Sequence, residues 1–172
     1  MKKVAIIMGS DSDLPTAEKA ATDLGCGCGT LGLLLLGADE TLRVCGIEIQ
    51  EAAARQAQEN AEENGFGVII SIAGMAAHLG GVLAANTVLP VIGVPVGSSF
   101  GGLDALLATV QMPSGIPVAT VALGGGKNAA ILAAQMLALS DDSLREKLRG
   151  MRKEMAEAVR EKDDIISNQF KN

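Results

Sequence analysis

Residues 67–86 read GVIISIAGMAAHLGGVLAAN, and they carry the main signal for the fold class. The first part, Gly67–Ile72, is apolar and β-branched, which predicts a buried strand. Met75–Asn86 is predicted to be a helix. The small residues of Ala73–Gly81 allow a ligand to approach the backbone, and His78, the only histidine, has a side chain whose charge changes near neutral pH. This junction is a candidate site, with a purely structural histidine as the alternative.

The same alternation of short β-branched runs and helical stretches continues along the chain. It predicts an α/β fold with a parallel sheet of about five strands and helices on both faces. The predicted strands are Lys3–Met8, Leu42–Ile49, Gly67–Ile72, Pro90–Val94 and Pro117–Leu123. The predicted helices are Ala17–Asp23, Glu51–Glu63, Met75–Asn86, Leu103–Val110, Asn128–Leu139 and an amphipathic tail, Ser143–Ile166. No linker or repeat divides the chain, so we expect one domain over residues 1–172.

Composition excludes several classes of function. The 172 residues carry 14 Lys and Arg against 20 Asp and Glu, a net charge of −6, and no Trp or Tyr, so no nucleic-acid partner is expected. No apolar run reaches the ~20 residues of a membrane helix, so we expect no membrane partner, and the N-terminus reads as a strand rather than a signal peptide. The odd set Cys26, Cys28 and Cys45 fits a reducing cytoplasm. A metal site there would need a fourth ligand, and His78 lies on a distant segment, so none is expected.

Another loop with polar side chains, Gly9–Asp13, follows the first predicted strand and precedes a helix opened by Pro15. A helix N-terminus offers free N–H groups to a phosphate, and the Ser10 hydroxyl can add a hydrogen bond. The carboxylates of Asp11 and Asp13 suit ribose hydroxyls. Helix capping by the same residues is the alternative.

Two glycine-containing loops follow later strands. Pro95–Gly102 contains Ser98 and Ser99. Gly124–Asn128 looks like a phosphate loop but lacks the Walker spacing, and Asn128 stands where Ser or Thr would hold magnesium. We expect this second loop to be a connection that closes near the others.

These segments together resemble the PurE family over about residues 1–20 and 60–164. The similarity is carried by KVAIIMGSDSDLPTAEKA, AGMAAHL, LPVIGVPV, GLDALLATVQMPSGIPVATVAL and KNAAILAAQMLAL. The family's activity is that of an N5-carboxyaminoimidazole ribonucleotide mutase of purine biosynthesis, which moves a carboxylate from an exocyclic nitrogen to a ring carbon without metal or organic cofactor. The resemblance implies a flavodoxin-like three-layer αβα sandwich and a homo-octamer in which the C-terminal helix reaches neighbouring subunits.

The resemblance also implies a substrate, a small aminoimidazole ribonucleotide, and a histidine that shuttles its proton. His78 is the candidate catalytic residue, and Ser10 and Asp13 would contact the ribose phosphate. The residues implied in substrate binding are Ser10, Asp11, Asp13, Gly74, Ala76, Ala77, Leu79, Ser98 and Ser99.

One part of the family pattern is absent. The family has a Ser-Ala-His-Arg-Thr-Pro loop after its second strand, whose histidine carries the proton and whose arginine binds phosphate. Arg43–Glu51 stands at that position here, and the charge of Glu48 would repel a phosphate. Neither Gln50 nor Glu51 replaces the imidazole, so we expect impaired catalysis.

The segment that replaces this loop, about residues 23–58, resembles the cofactor loop of class I S-adenosylmethionine-dependent methyltransferases. Asp23, Gly25, Gly27 and Gly29 match the D-x-G-x-G-x-G pattern, and Glu48 stands where such enzymes place the acid that binds the ribose hydroxyls. Two resemblances within one domain suggest a chimera or an engineered recombination, in which a strand–helix unit was exchanged between two similarly wound α/β folds. The alternative is that this segment is only architectural and binds no cofactor.

Two functions therefore remain open. The first is a PurE-type mutase with impaired activity. The second is a catalytically inactive chimeric α/β scaffold, with or without residual binding of a nucleotide or S-adenosylmethionine.

Overall fold

The structure, a computed structural model, describes residues 3–8, 15–16, 65–97 and 100–170. These residues form a parallel sheet and four helices. The strands are β1 (Lys3–Met8), β2 (Phe66–Ala73), β3 (Val91–Pro95) and β4 (Ala119–Thr120). The helices are α1 (Leu79–Asn86), α2 (Leu103–Val110), α3 (Gly126–Leu137) and α4 (Asp142–Gln169).

The described strands form one sheet in the order β1-β2-β3-β4, and every pair is parallel. The register places Ile70 between Ile6 and Ile92, three side chains that are fully buried. From Val68 onward β2 is buried at every position, as is all of β3, so both faces of the sheet are covered. Continuous apolar runs of this kind are typical of parallel sheets with helices on both faces.

The chain divides into two compact units, one ending at Ala133 and the other beginning at Ala134. Within the first unit, α1 packs on β2 and β3, and α2 packs on β3 and β4. The α2 contact is close at Gly93, where an added Cβ would lie 2.3 Å from Cγ2 of Thr109. Glycine is required there because any side chain would collide with α2.

The second unit contains α4, whose first turn is capped locally. The Asp141 carboxylate accepts hydrogen bonds from the Leu144 backbone N–H (3.0 Å) and the Ser143 hydroxyl (2.8 Å). The Arg145 side chain donates to the carbonyl oxygens of Ala138 and Leu139. These bonds satisfy backbone and side-chain groups that a helix end leaves without partners.

The predicted order of elements is confirmed wherever the structure describes the chain. β1 and α2 have the predicted bounds, and β2, β3, α3 and α4 differ from prediction by a few residues at most. The last strand is shorter than the predicted Pro117–Leu123, because the chain turns at Ala122, whose carbonyl accepts the Gly125 N–H at 2.9 Å. The predicted strand Leu42–Ile49 and the predicted helices Ala17–Asp23 and Glu51–Glu63 lie outside the described residues, and a single domain over 1–172 stays a prediction.

None of the helices in the described part of the chain combines the length and the apolar composition needed to cross a membrane.

Candidate functional site

The candidate site lies at the carboxyl ends of β2 and β3. Ala73, the last residue of β2, pairs with Pro95, the last residue of β3. The Val96 N–H then donates to the Ala73 carbonyl at 3.0 Å, which fixes the two loops side by side as they leave the sheet. Ligands of open parallel sheets bind at this edge.

The first loop is a tight turn over residues 74–78. The Ala77 N–H donates to the Gly74 carbonyl at 2.9 Å, so Met75 and Ala76 are the central residues of the turn. Met75 has φ +53° and Ala77 has φ +40°, and no other non-glycine residue in the described ranges has a positive φ. The left-handed conformation costs an L-residue ~1–2 kcal/mol, so this turn is strained at two positions.

Packing on both sides of the turn holds it in this conformation. Ala73, Ala77, Leu79 and Leu83 are all buried and belong to one apolar cluster. Strained backbone persists only where surrounding structure determines it, and here β2 holds one end of the turn and α1 the other. The backbone of the site is therefore set by the core.

His78 lies at the junction of the turn with α1. It is the N-cap residue, and its carbonyl accepts the Val82 N–H at 3.0 Å. Its side chain makes no capping hydrogen bond and is exposed. The imidazole therefore remains accessible to a ligand.

The helix predicted over Met75–Asn86 was wrong at its start. It begins at Leu79, because a right-handed helix cannot include the positive φ angles of Met75 and Ala77. This correction moves His78 from the helix interior to its N-terminal edge, beside the strained turn.

The loops after β3 and β4 meet at the same edge of the sheet. The Gly124 N–H donates to the Pro95 carbonyl at 2.9 Å, so the glycine-rich connection closes against the end of β3 as predicted. Gly102 caps α2 with φ +86°, and an added Cβ there would lie 2.5 Å from Leu123. Phe100, on the same loop, is 77% exposed.

The structure brings together only part of the predicted site. Gly74, Ala76 and His78 are accessible, whereas the side chains of Ala77 and Leu79 are buried at 5% and 3% exposure. Those two residues could face a ligand only through their backbone. The other predicted residues lie outside the described ranges: Ser10, Asp11, Asp13, Ser98, Ser99, Asp23, Gly25, Gly27, Gly29 and Glu48.

Sequence reasoning missed two exposed apolar residues at this edge, Met75 and Phe100. Their exposure depends on the backbone of the two loops, which no periodicity predicts. The one available signal was Met75 itself, a large side chain directly after a strand-ending glycine.

The comparisons with known proteins identify the family. The family model described as AIR carboxylase matches residues 3–158, a continuous span that includes β1, the candidate turn and most of α4. The chain belongs to the AIR carboxylase family. The PurE resemblance is thereby confirmed at the level of the family.

Several similar proteins are N5-carboxyaminoimidazole ribonucleotide mutases. The one from Pyrococcus horikoshii is 47% identical over 160 residues, covering 92% of this chain and 85% of that protein. The one from Methanocaldococcus jannaschii is 43% identical over 174 residues, covering 98% of this chain and 99% of that protein.

A solved structure is similar over the full length. The crystal structure of Treponema denticola PurE matches with a TM-score of 0.76 and 26% identity, and covers 100% of both chains. The flavodoxin-like α/β fold expected from the sequence is confirmed, with a parallel sheet of four strands among the described residues.

Proposed function

We propose that this chain acts on an aminoimidazole ribonucleotide as an N5-carboxyaminoimidazole ribonucleotide mutase, with activity below that of its relatives. The observation that carries the proposal is the accessible imidazole of His78 on a core-fixed turn at the carboxyl ends of β2 and β3. Membership of the AIR carboxylase family and the mutase names of its relatives support it.

In this proposal the aminoimidazole ring binds against Gly74 and residues 76–79. Small side chains at Gly74 and Ala76 leave the backbone accessible to a flat ring. Ala77 and Leu79 contribute through their main chain, since their side chains are buried. We place the ribose and phosphate at Ser10, Asp11 and Asp13, and Ser98 and Ser99 at the border of the cleft, by family resemblance.

The proposed chemistry requires one proton carrier and no metal or organic cofactor. The exocyclic N–carboxylate bond breaks, carbon dioxide leaves, and the nitrogen takes up a proton. The ring carbon then forms a bond to the trapped carbon dioxide and releases its own proton. A single imidazole at His78 balances the reaction by donating the first proton and accepting the second, the role in which histidine is most common.

Impairment follows from the absent Ser-Ala-His-Arg-Thr-Pro loop. The family histidine has no counterpart in Arg43–Glu51, and Glu48 carries the wrong charge to replace the family arginine at a phosphate. His78 is the only imidazole in the chain, so it is the only histidine that could take over proton transfer.

The test is interconversion of the two carboxylated isomers, followed by ultraviolet absorbance. The chain has no Trp or Tyr, so its own absorbance contributes little background. We expect slow turnover, below that of the Escherichia coli mutase measured in parallel. His78→Asn should lower kcat by a further ~10²–10⁴-fold, the usual contribution of a general acid–base group. Val88→Ala, in the loop after α1 and 94% exposed, is the matched control.

Unchanged turnover in His78→Asn would exclude His78 as the proton carrier. Nucleotide binding by a folded chain without turnover would favour the second hypothesis, an inactive chimeric scaffold. That hypothesis rests on the methyltransferase-like segment of residues 23–58, which lies outside the described ranges.

For that segment we propose an architectural role without a bound cofactor. S-adenosylmethionine at a hundred times its dissociation constant would stabilise the native chain by ~2.7 kcal/mol. We expect no such rise in melting temperature over millimolar S-adenosylmethionine. A rise that Asp23→Asn and Glu48→Gln both abolish would show instead that the glycine loop binds the cofactor.

We also propose a homo-octamer, from the family resemblance, in the reducing cytoplasm that the odd set of cysteines favours. The exposed apolar residues of α4, Met155, Val159, Ile165 and Ile166, support association with other subunits. Light scattering coupled to gel filtration should give the mass of eight subunits rather than that of one 17.5 kDa chain. A folded monomer would contradict this assembly.

A further inference from the structure

Met75 occupies a backbone position where glycine is expected. It is the first central residue of the turn closed by the Ala77 N–H and the Gly74 carbonyl, and its φ is +53°. Turns with a positive φ at this position are dominated by Gly, Asn and Asp. Glycine would adopt this conformation without strain. A methionine at this position is therefore expected only if its side chain contributes to stability or to function.

Burial of the Met75 side chain does not explain why a methionine occupies this strained position. The other strained residue of the turn, Ala77, is 5% exposed and its methyl group packs in the apolar cluster with Leu79 and Leu83. Met75 is 66% exposed, so packing of its side chain offsets little of the strain. Backbone strain that local packing does not offset is concentrated at functional sites.

A second apolar side chain lies at the same edge of the sheet. Phe100, on the loop after β3, is 77% exposed, and the Val96–Ala73 hydrogen bond holds the β2 and β3 loops side by side where they leave the sheet. The side chain of His78 is also accessible at this edge of the sheet, together with those of Met75 and Phe100. An accessible imidazole and two exposed apolar side chains at one edge of the sheet suit a flat, unsaturated ring that needs one polar contact and apolar cover.

We propose that Met75 is a specificity-determining residue whose thioether contacts the heterocyclic ring of the bound nucleotide. This inference rests on the proposed function and adds to it a residue outside the substrate-binding set implied by the family resemblance. Sulfur makes favourable contacts with aromatic rings, and the flexible methionine side chain adapts to a ligand that enters and leaves.

Three substitutions separate the side chain from the backbone strain. Met75→Ala removes the thioether and keeps the backbone strain, because alanine still has a Cβ. Met75→Gly removes both the thioether and the strain. Met75→Leu keeps an apolar side chain of similar size but loses the sulfur. Each variant is compared with the unaltered chain for its dissociation constant for the ring-carboxylated nucleotide, its KM and its kcat. Val88→Ala, also a loss of an exposed apolar side chain, is the control.

We expect Met75→Ala and Met75→Gly to weaken nucleotide binding equally, by about two- to tenfold, the range given by a sulfur–ring contact. KM should rise by the same factor and kcat should change little. Met75→Leu should lie between Met75→Ala and the unaltered chain, because it keeps an apolar side chain of similar size and loses only the sulfur. The melting temperature should not fall in any of the three, because the side chain is exposed.

A tryptophan reporter gives a second readout that does not depend on activity. The chain has no Trp, so Met75→Trp places a single fluorophore at the proposed contact, and Val88→Trp places one in the loop that follows α1. The ring-carboxylated nucleotide should change the emission of the first variant and leave that of the second unchanged.

Normal affinity in Met75→Ala would overturn the inference, even if Met75→Gly were weakened, because the loss would then come from the backbone. An emission change in neither tryptophan variant would overturn it as well. The proposed function fails separately, if the unaltered chain does not bind the nucleotide, and the inference then falls with it.

Discussion

The unit formed by β2, the strained turn and α1 contrasts with α4, the long C-terminal helix. From Val68 onward β2 is buried at every position, and α1 buries Leu79, Gly80 and Leu83. No residue of α4 is buried over its 28 positions. The first region is determined by contacts with distant parts of the chain, and the second by interactions within a few residues.

This difference explains where a site can form. A turn with two left-handed non-glycine residues survives only where packing on both sides outweighs the strain, as it does around Ala77. In α4 the ion pairs are local and exposed, such as Arg145 with Asp142 and Lys153 with Glu157. Exposed pairs contribute ~0–1 kcal/mol each, too little to hold a strained backbone.

The largest expected effect compares one core residue with one residue of α4. Leu83 is 1% exposed and contacts the cluster beneath the turn, so Leu83→Ala should lower the free energy of unfolding by ~2–5 kcal/mol. Glu154→Ala, at an exposed position of α4, should change it by less than ~0.5 kcal/mol. Urea unfolding followed by circular dichroism measures both, and similar losses in the two variants would contradict the contrast.

Glycine substitutions sharpen the contrast because they should act in opposite directions. Gly93→Ala in β3 would bring a methyl group to 2.3 Å from Cγ2 of Thr109 and 3.0 Å from Cγ1 of Val118, and should destabilise by ~1–3 kcal/mol. Adding Thr109→Ser removes the closer methyl and keeps the hydroxyl that donates to the Ala105 carbonyl at 2.7 Å. The double variant should recover part of the loss. Gly97→Ala, with nothing within 4 Å, is the control, and an equal loss there would exclude the collision as the cause.

In α4 the same substitution should stabilise. Gly150 lies in the helix interior, and an added Cβ would meet nothing within 4 Å. Alanine restricts the unfolded chain more than glycine does, so Gly150→Ala should raise the free energy of unfolding by ~0.5–1 kcal/mol. Thermal unfolding checks the sign. A loss of stability would mean that α4 is packed at this position in the folded protein.

The contrast between local interactions and distant contacts also explains which elements and site residues could be predicted from the sequence. Leu103–Val110 was placed at the observed bounds and α4 within three residues, because periodicity and capping are local signals. The predicted start of α1 was wrong, because packing imposes the positive φ angles of Met75 and Ala77. The hydrophobic periodicity of the sequence does not indicate them. His78 could be predicted as a site residue from its residue type and its position after a strand. The exposure of Met75 could be recognised only once the geometry of the turn was known.

The smallest expected effect concerns the cap of α4 and its dependence on pH. The Leu144 N–H and the Ser143 hydroxyl donate to the Asp141 carboxylate and hold the pKa of that carboxyl below its usual value. A carboxyl whose pKa is lower in the folded state stabilises that state above its unfolded pKa, near 3.9, and loses this contribution as pH falls through the folded value. Asp141→Asn keeps a capping oxygen but does not titrate.

We therefore expect Asp141→Asn to have a lower melting temperature than the unaltered chain at pH 7, and the gap to shrink below about pH 4. Asp164→Asn, near the other end of α4, controls for the loss of one negative charge. A gap that stays constant from pH 7 to pH 2.5, or one that Asp164→Asn reproduces, would show that the cap does not act through the ionised carboxylate. A shrinking gap confined to position 141 would show that the N-terminus of α4 is held by a bond inside its own first turn, the opposite of the packing that fixes the turn at His78.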